Sequence, residues 1–361
     1  MPHPLAVDLT SYQKGNYQWR AAFLRVPALA LALAIGHGCG QPAAGVLGCA
    51  AALSAGFGGM RQVRGSRLLA MMWTVGTMAA AAWLGTVCGH THGAALAVTA
   101  LGGFVCGLVV VYNDDLGWIA IQGVIALLLA TNFPSYGEMG AARSVAILAG
   151  GALQVGVLLL LWRFLGISRR GPEEGGMPVP PQPWREAWAE FRQSWVFTSV
   201  AFRYALRLAL TLMLAIGLAR YLGLQNGYWL PMTTLLVLKP DFYRTYAMGV
   251  QRSVGTLLGV GLASVIAEWL APGPEAAMGL AVGFGLLVYA LQKVNMVLFC
   301  MMLTSYVVFL ISLTGMAEGE VTVHRLINTV LGCGLAMGSR FIGLRLLRWR
   351  GKRLVPSGPT P

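Results

Sequence analysis

A succession of long apolar segments constrains this chain more than any other feature. Apolar runs of roughly 17–23 residues follow one another along the sequence, separated by short clusters of charge, glycine and proline. The interior of a bilayer offers no water to backbone N–H and C=O groups, so a membrane-crossing chain forms helices or a closed barrel. Runs of this length favour helices, because barrel strands are alternating segments of about ten residues.

Composition agrees with a membrane protein. The 361 residues are 57% hydrophobic and only 11% charged, more apolar surface than a water-soluble fold of this size buries. Many of the 47 glycines lie inside apolar runs, where they allow helix backbones to approach closely. We expect no removable signal peptide, because the first apolar run lacks a compact basic region before it and a small-residue cleavage site after it.

The segments predict an all-α transmembrane bundle of about twelve spans. Six are expected near 24–39, 41–58, 68–88, 93–112, 116–133 and 144–166, and six near 203–222, 227–240, 249–271, 275–291, 294–314 and 326–346. The chain then divides into 1–166, a linker at 167–199, a second six-helix region at 200–348 and a basic tail at 349–361. Within the linker, helical spacing of Trp184, Trp188, Phe191 and Trp195 predicts an amphipathic interfacial helix.

The distribution of positive charge predicts the orientation. With both termini in the cytoplasm, 23 of the 26 Lys and Arg residues lie on the cytoplasmic side, and the exceptions are Arg143, Arg220 and Arg325. We therefore expect a multi-pass protein of a bacterial inner membrane. The net charge of +13 then reflects contact with anionic lipid headgroups and does not indicate a nucleic-acid partner.

The two six-helix regions share local patterns. Ala34-Ile35-Gly36 matches Ala215-Ile216-Gly217, and Val75-Gly76-Thr77 matches Val254-Gly255-Thr256. Arg143 and Arg325 each precede a glycine by seven residues. Matches in the same order at an offset of about 180 residues indicate a duplication. An even number of spans in each copy predicts parallel repeats, with any pathway near the interface between them.

A motif in the second half identifies a family. The residues at 228–241 read YWLPMTTLLVLKPD, and those at 251–259 read QRSVGTLLG. This stretch, with FRYALR at 202–207 before it, resembles the fusaric acid resistance protein-like family, also called the integral membrane bound transporter domain. The resemblance extends over about 200–345. The first half is a degenerate copy, because the place of the Lys-Pro-Asp turn is taken by GFGGMR at 56–61.

The resemblance implies a function. The family includes exporters of aromatic and other weak acids, and the plant aluminium-activated malate transporters, which are anion channels, share parts of the motif. We therefore expect an efflux permease for organic anions that moves aromatic weak acids from the cytoplasm to the periplasm. A passive anion channel and a membrane scaffold for envelope assembly are the alternatives. No enzyme activity and no cofactor are expected, and a homo-oligomer or a periplasmic adaptor is compatible with the sequence.

A basic cluster in the second half is the predicted substrate site. Pro240 interrupts its helix, so Lys239 and Asp241 are expected beside a break at the cytoplasmic mouth. Guanidinium groups beside aromatic side chains suit an amphipathic organic anion. The predicted substrate-binding residues are Arg203, Arg207, Tyr228, Trp229, Thr233, Lys239, Asp241, Arg244 and Arg252. The alternative is that the basic residues only fix topology.

Other polar residues receive more specific predictions. Arg143 and Arg325 are expected to flank the exit, the alternative being ion pairs with Glu138, Glu318 or Glu320. Asp114, Asp115 and Asp241 are the candidates for proton coupling, the alternative being helix caps or ion-pair partners. His37, His90, His92 and His324 do not supply a recognisable ligand set, so no metal site is predicted, and the six cysteines are expected to be small apolar residues.

Overall fold

The computed structural model describes residues 15–135, 137–167, 199–315 and 318–353, and these ranges contain twelve α-helices and no β-strand. The helices are α1 (Trp19–Gly38), α2 (Pro42–Gly58), α3 (Arg67–Cys88), α4 (His92–Tyr112), α5 (Asp114–Thr131), α6 (Gly137–Phe164), α7 (Val200–Tyr221), α8 (Trp229–Val237), α9 (Phe242–Leu270), α10 (Pro274–Leu291), α11 (Met296–Ser312) and α12 (Glu318–Arg353). The all-α prediction is confirmed. The predicted interfacial helix at 184–197 lies outside the described residues.

The number of spans is confirmed only in part. Nine of the described helices are long and apolar enough to cross a membrane, whereas α2 and α11 have 17 residues each. The expected span at 227–240 is the largest departure, because α8 has only 9 residues. At 1.5 Å per residue such a helix is about 14 Å long, roughly half of a 30 Å hydrocarbon core.

Helices of the two halves pack in corresponding pairs. In the first half α3 packs against α5 and α6, and α2 packs against α1 and α6. In the second half α9 packs against α11 and α12, and α8 packs against α7 and α12. The halves meet where α4 contacts α7 and where α10 contacts α1.

Small residues bring the halves together closely. A Cβ atom added at Gly107 of α4 would lie 2.5 Å from the Cα of Ala205 on α7, so the two backbones are nearly in contact there. On the other side, the Tyr289 hydroxyl of α10 donates a 2.9 Å hydrogen bond to the carbonyl of Leu53 on α2. Close packing of backbones and internal hydrogen bonds are the interactions that hold helices together in lipid.

Candidate functional site

The short helix α8 lies at the centre of the candidate site. It is surrounded by α5, α7, α9 and α12, and eight of its nine residues are buried. The chain enters α8 through a tight turn, where Gly223 and Asn226 have positive φ angles of 59° and 51°. It leaves before Pro240, and the Tyr204 hydroxyl on α7 donates a 2.9 Å hydrogen bond to the Leu238 carbonyl. A broken helix is tolerated at membrane depth only where protein covers it, as here.

The Lys-Pro-Asp turn is stabilised by its own side chains. The Lys239 amide donates to the Thr245 hydroxyl at 2.9 Å, and that hydroxyl is 2.8 Å from the Asp241 carbonyl, to which it can donate. The Asp241 carboxylate caps α9 by accepting from the Arg244 amide at 2.9 Å. Asp241 and the Arg244 side chain are both exposed. Two of the predicted substrate-binding residues therefore lie at the surface, and the Asp241 carboxylate is engaged in helix capping.

One stripe of α12 faces α8. A Cβ atom at Gly332 would lie 2.7 Å from the Leu230 carbonyl, so only glycine allows this approach without a shift. The Thr234 hydroxyl is also 3.2 Å from the Gly332 carbonyl. Two turns earlier on α12, the guanidinium of Arg325 stacks over the Trp229 ring, with its central carbon 4.0 Å from the ring centroid. The close approach at Gly332 thus places Arg325 against the start of α8.

A second arginine approaches from α9. A Cβ atom at Gly255 would lie 2.5 Å from the Cβ of Cys300, so α9 and α11 are in close contact just after Arg252. Arg252 lies within hydrogen-bonding range of the Cys300 sulfur and within electrostatic range of Arg325. The residues Arg252 and Arg325 are only 5% and 3% exposed. Two buried guanidinium groups therefore share one region of the protein interior.

Several side-chain N and O atoms around these two arginines are buried without a hydrogen-bond partner among the described residues. Buried atoms without a hydrogen-bond partner include Nε of Arg252, Nε and Nη1 of Arg325, Nε1 of Trp229 and Oγ1 of Thr233. Among the carboxylates whose side chains the structure describes, which do not include Glu318 and Glu320, none forms an ion pair with either arginine. We call Arg252, Arg325, Trp229 and Thr233 the arginine cluster. A buried charge without a partner costs several kcal/mol, so the cluster has the chemistry to bind an anion.

Aromatic rings extend the cluster towards Arg143. The Tyr228 ring lies 5.0 Å from the Trp229 ring and 5.8 Å from the Phe133 ring. Arg143 donates to the Phe133 carbonyl and to the Thr86 hydroxyl, not to Glu138. The structure thus separates the two predicted exit arginines. Arg325 belongs to the arginine cluster, whereas Arg143 lies outside it and is connected to it through Phe133 and Tyr228.

The remaining predicted cations lie at the other end of α8. Lys239 is half-buried and within electrostatic range of Arg252 and Asp114. Arg207 is half-buried and faces Arg340 of α12, while Arg203 is exposed. Of the nine predicted substrate-binding residues, the structure brings together Tyr228, Trp229, Thr233 and Arg252, with Lys239 nearby.

The candidates for proton coupling lie at the starts of helices. Asp115 forms an ion pair with Arg61 at 3.4 Å and accepts from the Gln62 amide at 3.2 Å. Asp114 is exposed in the first turn of α5, and Asp241 caps α9. Proton coupling through any of them stays a prediction. Within the described ranges, no group of three or more His, Cys, Asp or Glu side chains is placed to hold a metal ion.

Sequence reasoning missed three residues of this region. Cys300 contacts Arg252, and Asn328, one turn after Arg325, donates to the Gln225 carbonyl at 3.2 Å while its own side-chain oxygen has no partner. Arg340 faces Arg207. Asn328 was recognisable as a polar residue in an apolar segment. Arg340 could not be singled out, because the positive-inside rule already accounts for basic residues at the cytoplasmic ends of helices.

Comparison with known proteins finds a family match within the second half. Residues 214–338 match the family described as fusaric acid resistance protein-like. The inner membrane protein YccS of Escherichia coli is 30% identical over 157 residues, which cover 43% of this chain and 22% of YccS. An uncharacterized protein of Haemophilus influenzae is 29% identical over 140 residues, 39% of this chain and 19% of that protein.

A third relative, an uncharacterized protein of Neisseria gonorrhoeae, is 27% identical over 152 residues, 42% of this chain and 36% of that protein. The matched stretches thus cover little more than a third of these relatives at most. No solved structure matches the chain significantly. The family resemblance predicted from the motif is confirmed over residues 214–338, which match the fusaric acid resistance protein-like family and contain the whole arginine cluster.

Proposed function

We propose that this protein transports organic anions across the membrane and that the arginine cluster binds the carboxylate of the substrate. The observation that carries the proposal is the pair of buried guanidinium groups, Arg252 and Arg325, whose free N–H donors meet none of the carboxylates with described side chains. Charge-assisted hydrogen bonds from arginine to a carboxylate are about twice as strong as neutral ones. A substrate carboxylate would supply the charge and the acceptors that the cluster lacks.

The surroundings of the cluster favour an aromatic weak acid. Trp229 and Tyr228 present aromatic rings beside the cations, and the Thr233 hydroxyl is a further donor. An aromatic ring of the substrate would stack on these side chains while its carboxylate pairs with the guanidinium groups. Small inorganic anions would gain the charge pairing without the stacking.

The path of export follows the sequence of cations along α8. Lys239 lies beyond the end of α8, Arg252 lies within electrostatic range of it, and Arg325 lies at the start of α8. With both termini in the cytoplasm of a bacterial inner membrane, this sequence runs from the cytoplasmic to the periplasmic side. The corresponding helix pairs of the two halves support parallel repeats, the arrangement in which a pathway lies near the interface between repeats.

Reconstitution into liposomes tests the proposal. We expect wild-type protein to carry benzoate and other aromatic carboxylates faster than acetate, and we expect Arg252→Gln to reduce the flux by more than about tenfold, since losing one partner of a buried charge pair costs about 2–5 kcal/mol. Arg163→Gln is the matched control, because Arg163 is exposed at the end of α6. Equal flux from both variants would remove the arginine cluster from the pathway.

A passive anion channel is the second candidate. The positions of Asp114, Asp115 and Asp241 at helix starts favour it, because a proton-coupled pump needs a carboxylate whose pKa is set by burial near the substrate. Flux that continues after an uncoupler collapses the proton gradient would identify the channel. Flux that stops under the same treatment, with the liposomes still sealed, would identify the coupled transporter.

A further inference from the structure

A second pair of arginines lies well away from the arginine cluster. Arg340 follows Arg325 by fifteen residues on α12, a distance of about 22 Å along a helix. Its guanidinium faces Arg207 of α7, and the two are within electrostatic range of each other. The exposed Arg203 lies one turn before Arg207 and adds to the same positive potential. This pair, Arg207 and Arg340, is independent of the proposed transport site.

The positive charge of the pair is balanced only in part. Nη1 of Arg207 and Nε of Arg340 are buried and have no hydrogen-bond partner. Asp241, whose carboxylate also caps α9, lies within electrostatic range of Arg340 and offsets part of the charge. The neighbouring Tyr204 hydroxyl is engaged with the Leu238 carbonyl. Two guanidinium groups beside one carboxylate leave a net positive charge and unused donors, which suit an anion from outside the chain.

Apolar side chains flank the pair on the outside of the bundle. Leu206 and Leu210 of α7 are 43% and 52% exposed, and Phe341 and Ile342 of α12 are 52% and 59% exposed. Between the helices, Gly343 has no side chain, and a Cβ atom there would lie 3.9 Å from Nε of Arg207. The surface where α7 meets α12, which we call the α7–α12 surface, therefore combines cations with exposed apolar side chains.

We propose that the α7–α12 surface binds an anionic phospholipid, with its phosphate on Arg207 and Arg340 and its acyl chains along Leu206, Leu210 and Ile342. Guanidinium groups pair with phosphate oxygens in two-pronged geometry, and basic sites between transmembrane helices are suited to anionic headgroups. A soluble anion would pair with the cations but would make no use of the exposed leucine and isoleucine side chains beside them. The combination of cations and apolar side chains therefore favours a lipid.

Thermal unfolding of the full chain in detergent tests the proposal. Wild-type protein is titrated with phosphatidylglycerol, with phosphatidylcholine and with glycerol phosphate, and the Tm is recorded. We expect phosphatidylglycerol to raise the Tm by several degrees more than phosphatidylcholine does, and glycerol phosphate to have little effect. The double variant Arg207→Gln/Arg340→Gln should lose this difference.

The control is the double variant Arg20→Gln/Arg163→Gln, which removes two exposed arginines from α1 and α6, the corresponding helices of the first half. It should keep the full response to phosphatidylglycerol. The proposal is overturned if both double variants respond alike, or if glycerol phosphate stabilises the wild type as much as the lipid does. Benzoate binding by the arginine cluster is measured on the same samples, and its presence or absence is a separate result.

Discussion

Arg25 in the first half and the arginine cluster in the second half differ in their hydrogen bonds, whereas Arg67 of the first half resembles the cluster, being 1% exposed and stacked over the Trp162 ring with its central carbon 4.6 Å from the ring centroid. In the first half Arg25 is fully buried, and it donates from Nε to the Gly56 carbonyl and from Nη1 to the Ala21 carbonyl, each at 2.8 Å. In the second half Arg252 and Arg325 are almost equally buried but keep donors without partners. The first arginine ties helices together through backbone carbonyls. Arg252 and Arg325 keep buried donors that, in the proposed function, would bind the carboxylate of the substrate.

The same contrast appears in the contacts of α2 with α6 and of α8 with α12. A Cβ atom at Gly150 would lie 2.1 Å from the Gly48 carbonyl, and one at Gly332 would lie 2.7 Å from the Leu230 carbonyl. In α2, Leu47 precedes Gly48 and Ala51 follows it by three residues. In α8, Trp229 precedes Leu230 and Thr233 follows it by three residues. A similar helix contact is therefore apolar in the first half and polar in the second, in agreement with the substrate site that we propose in the second half.

The sharpest test of this difference replaces each of two corresponding arginines, Arg325 and Arg143, by alanine. We expect Arg325→Ala to reduce anion flux by more than about tenfold, because it removes a buried charge-assisted partner worth about 2–5 kcal/mol. Arg143→Ala should reduce it by about threefold or less, because its lost hydrogen bonds are worth about 1 kcal/mol each and do not contact the cluster. Flux is measured in liposomes with equal amounts of protein. Arg353→Ala in the basic tail is the control, and equal losses from Arg325→Ala and Arg143→Ala would contradict the division between the halves.

The two glycine contacts provide the next test. Gly150→Ala and Gly332→Ala both force backbones apart, and we expect each to destabilise the protein by about 1–3 kcal/mol, as overpacking does. Only Gly332→Ala should also raise the KM for benzoate, because it displaces α8 from Arg325. Gly156→Ala is the control, since the position is open. A rise in KM for Gly150→Ala that matches the one for Gly332→Ala would show that the first half also shapes the site.

A smaller effect is expected where α8 is made to resemble α2. Trp229→Leu introduces the residue type that precedes the contact in the first half and removes the ring under Arg325. The preference for aromatic over aliphatic carboxylates should fall by about fivefold, since interactions of a cation or a ring with tryptophan contribute about 1 kcal/mol. Competition between benzoate and hexanoate measures this preference. An unchanged ratio would mean that the substrate ring binds elsewhere.

The smallest effect concerns Asp241. Asp241→Asn keeps a side-chain oxygen that caps α9, because asparagine is as good a capping residue as aspartate. Flux should therefore change by less than about twofold, with or without a proton gradient, as the capping free energies of the two residues are similar. A selective loss of the proton-driven component would show instead that this carboxylate takes part in coupling.

Much of the fold was predictable because lipid imposes a simple rule on sequence. Apolar length gave the helices, and Pro240 marked the break after α8. The length of α8 was not predictable in this way, because 227–240 is apolar enough for a span. Its shortness depends on the turn at Gly223 and Asn226 and on the burial of both its ends by neighbouring helices. A hydropathy profile indicates neither the turn nor the burial of the helix ends.

The site was predictable in its parts and not in its arrangement. The motif pointed to Trp229 and Arg252, and the unusual position of Arg325 for a cation marked it as exceptional. The contact between Arg325 and Trp229 depends on how α12 packs on α8, which no local pattern encodes. The apparent exit residue therefore proved to be part of the same cluster as the predicted substrate-binding residues.

The unpaired guanidinium groups also affect how the purified protein should be handled. A ligand present at a hundred times its Kd adds about 2.7 kcal/mol to the stability of the state that binds it. Buffers that contain an aromatic carboxylate should thus preserve the protein during extraction from the membrane better than chloride buffers of equal ionic strength. Such a compound would serve as a stabilising additive for crystallisation or cryo-electron microscopy.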